Sequence, residues 1–270
     1  MSIRQPFTQV RELPPYVGIL AVDAKGFTEQ PGAVMQEFSG LIPELVGRAF
    51  ERVGLHEEWQ NPPFFGPTGD GFAVGIPTAF VPRVIHPFLG ELQRVLAEYN
   101  QKARLSEPQI RLRASLNVGP VSTGTNPYVS GNGTARNETH RLLDSIPVRA
   151  ILSSASPRVT FVAAILSDRV FQDVVVGGYA QRHPDHFLEV NAAVEGKAFG
   201  QRAWLHVPEP SGNLVAAGLP ASPPEPSDPA AEPAHHRRPP GDAVGINVRA
   251  DDNTGQVGGY VGEMRQERNP

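Results

Sequence analysis

The sequence predicts a mixed α/β sheet with helices packed on its faces, and three observations predict it. Short apolar, β-branched runs recur through residues 1–207. Longer stretches with apolar residues at helical spacing interleave with them. A Thr-Gly-Asp-Gly turn (Thr68–Gly71) joins two apolar segments, which marks a hairpin with a tight loop.

Each element has its own signal. Tyr16–Val22 (YVGILAV) reads as a buried strand stopping at Asp23. Gly32–Gly54 carries Val34, Phe38, Leu41, Ile42, Leu45, Val46 and Phe50 at helical spacing, so it reads as an amphipathic helix interrupted or bent near Pro43. Phe64–Pro77 is the hairpin and Val84–Lys102 a second amphipathic helix. Ile110–Val121 alternates Arg111, Arg113 and Ser115 with Leu112, Ala114 and Leu116, the pattern of a strand. A Gly/Asn/Ser/Thr loop (Gly119–Gly133) precedes a helix over about Thr134–Ser145. Val159–Leu166 reads as a strand, Asp168–Val176 as a short helix, and Phe187–Val194 and Arg202–Val207 as closing strands.

Composition sets the domain limits. Ten of the 28 prolines fall between Pro208 and Pro240. A stretch so poor in apolar residues cannot offset the entropy of ordering it, so 208–242 reads as a disordered linker between a folded domain (1–207) and a flexible tail (243–270). The net charge of −4 gives no footprint for a nucleic-acid polymer. The absence of cysteine excludes disulfides, thiolate metal sites and a cysteine nucleophile. No apolar signal segment opens the chain and no run approaches about 18 apolar residues, so a soluble cytoplasmic protein with no membrane span is expected.

Three constellations can carry chemistry. Asp23 ends a strand and is followed by Ala24, Lys25, Gly26, Phe27 and Thr28. Backbone amides in such a turn can face an anion, although Asp23 can equally cap the turn. Asp70, at the hairpin tip, is ordinary turn chemistry alone; paired with Asp23 it supplies the hard oxygen ligands that divalent cations take. Asn137 and Arg141, at i and i+4, share one helix face, where they can address a single ligand or simply be solvated.

In this order the segments YVGILAVDAKGFT, FFGPTGDGFAVGI, RLRASLNVGPV and GNGTARNETHRLLDS resemble successive blocks of the class III adenylate and guanylate cyclase homology domain. TFVAAILSDRVFQDV and VEGKAFGQRAWLHV look like its closing section, so the resemblance covers Val17–Pro208. It implies a class III cyclase-like α+β fold with a ferredoxin-like core, working as a head-to-tail homodimer with two equivalent sites. Asp23, Asp70 and the Ala24 carbonyl match the ligands of two Mg²⁺ or Mn²⁺ ions, and Gly26, Phe27 and Thr28 match the triphosphate cradle. Asn137 matches the ribose-orienting asparagine, Arg141 the transition-state arginine, and Lys197 the lysine on the terminal phosphates. The implied reaction is in-line attack of the ribose 3′-hydroxyl on the α-phosphorus with loss of pyrophosphate.

The base-reading positions depart from the family pattern. Purine-using members carry a lysine four residues before the second metal aspartate and an aspartate seven before the ribose asparagine; here these are Gly66 and Ser130. With Phe64 and Phe65 adding bulk, the chain looks like the pyrimidine cyclases of the Pycsar antiphage systems, whose product activates a downstream effector. UTP is preferred over CTP as the expected substrate on that resemblance. Arg113 can donate to a uracil carbonyl or pair with a carboxylate. A divergent adenylate cyclase, and a non-catalytic cyclase-like module, are the alternative readings. His183 and His186 read as solvated, and Ala243–Tyr260 as a disordered tail or a short amyloid-like motif.

Overall fold

The computed structural model describes residues 7–102, 109–124, 126 and 129–216. The first strand, β1 (Tyr16–Ala24), is buried along eight of its nine residues, so elements cover both of its faces. The chain then forms α1 (Gly32–Arg52), α2 (His56–Gln60), β2 (Phe65–Pro67) and β3 (Gly71–Ile76). After them come α3 (Leu89–Lys102), β4 (Leu112–Pro120), α4 (Thr134–Leu143), α5 (Ile146–Ser154), β5 (Val162–Ser167), β6 (Leu188–Ala193) and β7 (Gly200–His206). One seven-stranded sheet runs in the order β2-β3-β1-β4-β5-β7-β6. Only β4 and β5 run parallel; the other pairs are antiparallel. The β1-α1-β2-β3-α3-β4 portion, with its strands ordered β4-β1-β3-β2, is the expected ferredoxin-like core.

The sheet separates two apolar layers. Leu20, Val22, Phe72, Val74, Leu112 and Ala114 pack with Ile42, Leu45, Phe50, Leu92 and Leu96 of α1 and α3. On the other face Val17, Ile19, Ala21 and Ala73 meet Ala135 and Leu143 of α4, with Phe64 and Val121. The β2–β3 turn requires glycine at Gly69, in the left-handed region (φ 70°), and at Gly71, where a Cβ would strike the Val22 carbonyl oxygen.

Three details differ from the sequence reading. α1 runs unbroken through Pro43, because burial of Ile42, Leu45 and Val46 around it outweighs a helix-interior proline's cost of about 3 kcal/mol. The helix expected from Val84 is regular only from Leu89: His86 precedes Pro87 and is extended (φ −151°, ψ 124°), the conformation proline imposes on its predecessor. α5 was not anticipated, although Pro147 in its first turn and Val148, Ile151 and Leu152 at helical spacing mark it. The buried Arg111 guanidinium closes the C-terminal end of α5, donating to the carbonyls of Leu152 (2.7 Å), Ala155 (3.2 Å) and Thr160 (3.0 Å).

Ordered packing passes the expected boundary at 207. Ser211 donates its N–H to Thr160 Oγ1 (3.0 Å) and accepts from the Ser156 N–H (2.9 Å), and a short helix follows at Gly212–Ala216. The rest of the expected linker (208–242), and the tail (243–270), lie outside the described residues. Among the described residues no helix is long and apolar enough to cross a membrane.

Candidate active site

Along β1, residues 17, 19 and 21 face α4, and alternation carries Asp23 to the same side. Cross-strand register sets Asp23 opposite Gly71 of β3 and opposite Arg113 of β4. The Ala24 N–H donates to the Asp70 carbonyl (2.9 Å), which fixes the hairpin tip beside the end of β1. The two aspartates, 47 residues apart in sequence, thus become electrostatic neighbours. Asp23 is 5 % exposed. Burial pushes its carboxyl up to about 7, Asp70 and Asp144 push the same way, and Arg113 pulls against them. Two neighbouring carboxylates beside the Ala24 backbone form a donor set suited to hard divalent cations. Among the described residues no group of three or more His, Asp or Glu side chains is arranged to hold a metal ion.

Arg113 pairs with a carboxylate, the second of its two expected roles. It donates through Nε to Asp23 Oδ1 (2.8 Å) and through Nη2 to Asp23 Oδ2, because the register leaves the two side chains directly opposite each other. The turn after β1 holds Gly26 in the left-handed region (φ 73°), followed by a single helical turn, Phe27–Glu29, with Phe27 buried and Thr28 exposed. Lys25, Gly26, Glu29 and Arg113, with Arg149, Leu152 and Ser153 of α5, line a cavity of about 190 Å³. Arg113 is already engaged by Asp23, so Lys25 and Arg149 against Glu29 leave a small excess of positive charge there. Arg149 escaped the sequence reading because α5 did. A larger cavity, about 460 Å³, opens between Tyr16, Pro120, Thr134, Glu138 and Arg202 and contains neither aspartate.

Asn137 and Arg141 lie on the exposed stripe of α4, while Ala135, Thr139, Leu142 and Leu143 face the sheet. Arg141 stacks over Phe199 (5.5 Å), in the connection from β6 to β7 that also carries the exposed Lys197. These three residues therefore belong to one surface. Other groups sense the aspartate pair: Asp144, just past the end of α4, acts on Asp23, and Asp70 acts on His140 of α4, whose pKa is lowered mainly by burial.

The residues expected at the base separate. Phe65 stacks on Phe72 (4.9 Å) and meets Trp59 edge-on, on the α1 side of the sheet, since neighbouring strand residues point to opposite faces. Gly66 faces α4, and Ser130 lies close by, donating through Oγ to the Pro63 carbonyl (3.5 Å). Between them stand two residues that the sequence reading left unassigned: Phe64, named there only for its bulk, and Arg136, whose guanidinium lies 5.7 Å over the Phe64 ring.

No protein-family model and no curated protein matches the chain. Solved structures do. A bacterial light-regulated adenylyl cyclase aligns at 14 % identity over 78 % of this chain and 58 % of its own, with a TM-score of 0.52. The fold is that of a class III cyclase domain. The dimeric guanylyl cyclase domain of the RhoGC fusion protein from the aquatic fungus Blastocladiella emersonii aligns at 13 % identity over 74 % of this chain and 99 % of that one, at a TM-score of 0.44. The adenylyl cyclase CyaB from P. aeruginosa aligns at 12 % over 71 % and 93 %, at 0.43. Identity at this level speaks for the cyclase fold, and the chemistry rests on the residues above.

Proposed function

We propose that this protein is a nucleotide cyclase that converts a pyrimidine nucleoside triphosphate, UTP in preference to CTP, to its 3′,5′-cyclic form and pyrophosphate. The observation that carries the proposal is the meeting of Asp23 and Asp70 beside the cavity that Lys25 and Arg149 line. Asp23, Asp70 and the Ala24 carbonyl would hold Mg²⁺ or Mn²⁺, which would activate the 3′-hydroxyl and neutralise the phosphates. Gly26, Phe27, Thr28, Lys25 and Arg149 seat the triphosphate. Asn137 orients the ribose, Arg141 stabilises charge on the transferring phosphoryl group, and Lys197 contacts the terminal phosphates. On the family resemblance, a head-to-tail homodimer completes each site, with the aspartates from one protomer and these last three residues from the other. The purine-reading lysine and aspartate are replaced by Gly66 and Ser130, which supports the pyrimidine. An antiphage signalling role, with a cyclic-nucleotide-responsive effector downstream, rests on the sequence resemblance alone.

Incubation with each of the four NTPs and Mn²⁺ or Mg²⁺ tests this, with cyclic UMP as the expected main product. Cyclic AMP or cyclic GMP alone would overturn the base assignment, and no cyclic product from any NTP would overturn the cyclase. Asp70→Asn is expected to abolish turnover with an unchanged circular dichroism spectrum.

A further inference from the structure

We infer that Arg136 reads the base of the nucleotide and selects uracil. The inference rests on the nucleotide-binding reading above and adds a residue to it. By the family resemblance, Gly66 occupies the strand position from which a side chain would address the base. A Cβ built there would lie 2.8 Å from Arg136 Cζ and closer still to Nη2. The place of the missing side chain is filled by a guanidinium supplied from α4.

That guanidinium is held in place. It lies over the ring of Phe64, which is 4 % exposed and locked between glycines: a Cβ at Gly131 would come within 2.5 Å of the ring and one at Gly75 within 2.7 Å. Gly131 follows Ser130, so the same ring seats the loop that presents the second base-reading position. Among the described residues Arg136 makes no hydrogen bond or ion pair, and its donors stay available. It also sits in the first turn of α4, where the helix dipole disfavours a cation and where no acidic residue compensates. A residue placed against its local preference, half-buried on an aromatic ring and with no hydrogen-bond partner among the described residues, fits a ligand contact better than a structural one.

The chemistry follows from donor inventories. A guanidinium only donates, so the base must present acceptors to it. Uracil presents two carbonyl oxygens flanking N3–H. The Ser130 hydroxyl, which gives its proton to the Pro63 carbonyl, keeps lone pairs to accept that N3–H. Cytosine has no proton on N3 and loses this contact. Adenine turns its amino donor toward a donor, which leaves buried groups unpaired. Guanine carries two adjacent acceptors and is the sharpest competitor.

The test measures equilibrium binding of the four 3′-deoxynucleoside triphosphates, which cannot cyclise, to the full-length protein with Mn²⁺. Wild type, Arg136→Val, Arg136→Lys and Ser130→Ala are compared, with inorganic pyrophosphate as a base-free control. Wild type is expected to prefer the uracil analogue. Arg136→Val is expected to lose that preference about tenfold or more with pyrophosphate binding unchanged, and Arg136→Lys to retain part of it. Ser130→Ala is expected to narrow the uracil-to-cytosine ratio. An unchanged base preference in Arg136→Val, no preference in wild type, or a guanine preference would each overturn the inference. Uracil-selective binding that depends on Arg136, together with no turnover of any NTP, would sink the cyclase reading and leave this one standing.

Discussion

Arg113 grips both carboxylate oxygens of Asp23 from the neighbouring strand, so a proposed metal ligand is already held by a cation of its own chain. The pair is largely buried, with side chains 13 % and 7 % exposed. Breaking one side of such a pair leaves an uncompensated charge in a low-dielectric setting.

Arg113→Ala is therefore expected to destabilise the fold by about 3 kcal/mol at pH 8 and by clearly less at pH 5. Asp23 holds its proton more tightly folded than unfolded, since its folded pKa of about 7 lies above its ordinary value of 3.8. Its contribution to stability is therefore greatest below about pH 4 and is lost as pH rises through about 7. Removing Arg113 raises that pKa further, so the variant suffers where Asp23 must ionise. Thermal melts at both pH values, with and without Mn²⁺, check this. The expected result is a larger Mn²⁺ stabilisation of the variant at pH 8, and equal losses at both pH values would refute the account.

Asp70→Asn and Arg141→Ala remove opposite halves of the proposed shared site. Each homodimer is expected to be inactive. Mixed and re-equilibrated, half of the dimers are heterodimers carrying one intact site of two, so about a quarter of wild-type turnover should return. Failure of the mixture to recover activity, with heterodimers demonstrated by differential tagging, would place both halves in one protomer.

His206 gives a pH dependence of the opposite sign. It is 4 % exposed, tilts against Phe187 at 4.9 Å, and uses Nδ1–H to donate to the His186 carbonyl at 3.1 Å. Burial lowers its pKa to about 4, and the nearby Arg182, His186 and His86 act in the same direction. The neutral form stabilises the fold fully above about pH 6.5, and this is lost as pH falls towards 4, a change of about 3 kcal/mol. His206→Asn keeps a donor for the His186 carbonyl and removes the titration. Chemical denaturation across that range is expected to show a shallower acid-side slope in the variant than in wild type.

Local signals made the strands and main helices legible. Tyr16–Ala24 is apolar and β-branched, α1 repeats at helical spacing, and the Gly69-Asp70-Gly71 tip can only turn. α5 was passed over because it is short and follows α4 almost directly. The break at His86 was legible in Pro87 but weighed less than the apolar periodicity around it.

The sequence by itself determined the cyclase-like order of motifs, the acidic pair, and a glycine and a serine at Gly66 and Ser130, because each depends on residue type and short-range spacing. Only the tertiary structure decided which side chains meet. Strand register set Arg113 against Asp23, and the pleat sent Phe65 and Gly66 to opposite faces. The packing of α4 over β2 brought Arg136 to a glycine 70 residues away in sequence. Those are consequences of pairing and packing between distant segments, and no local pattern encodes them.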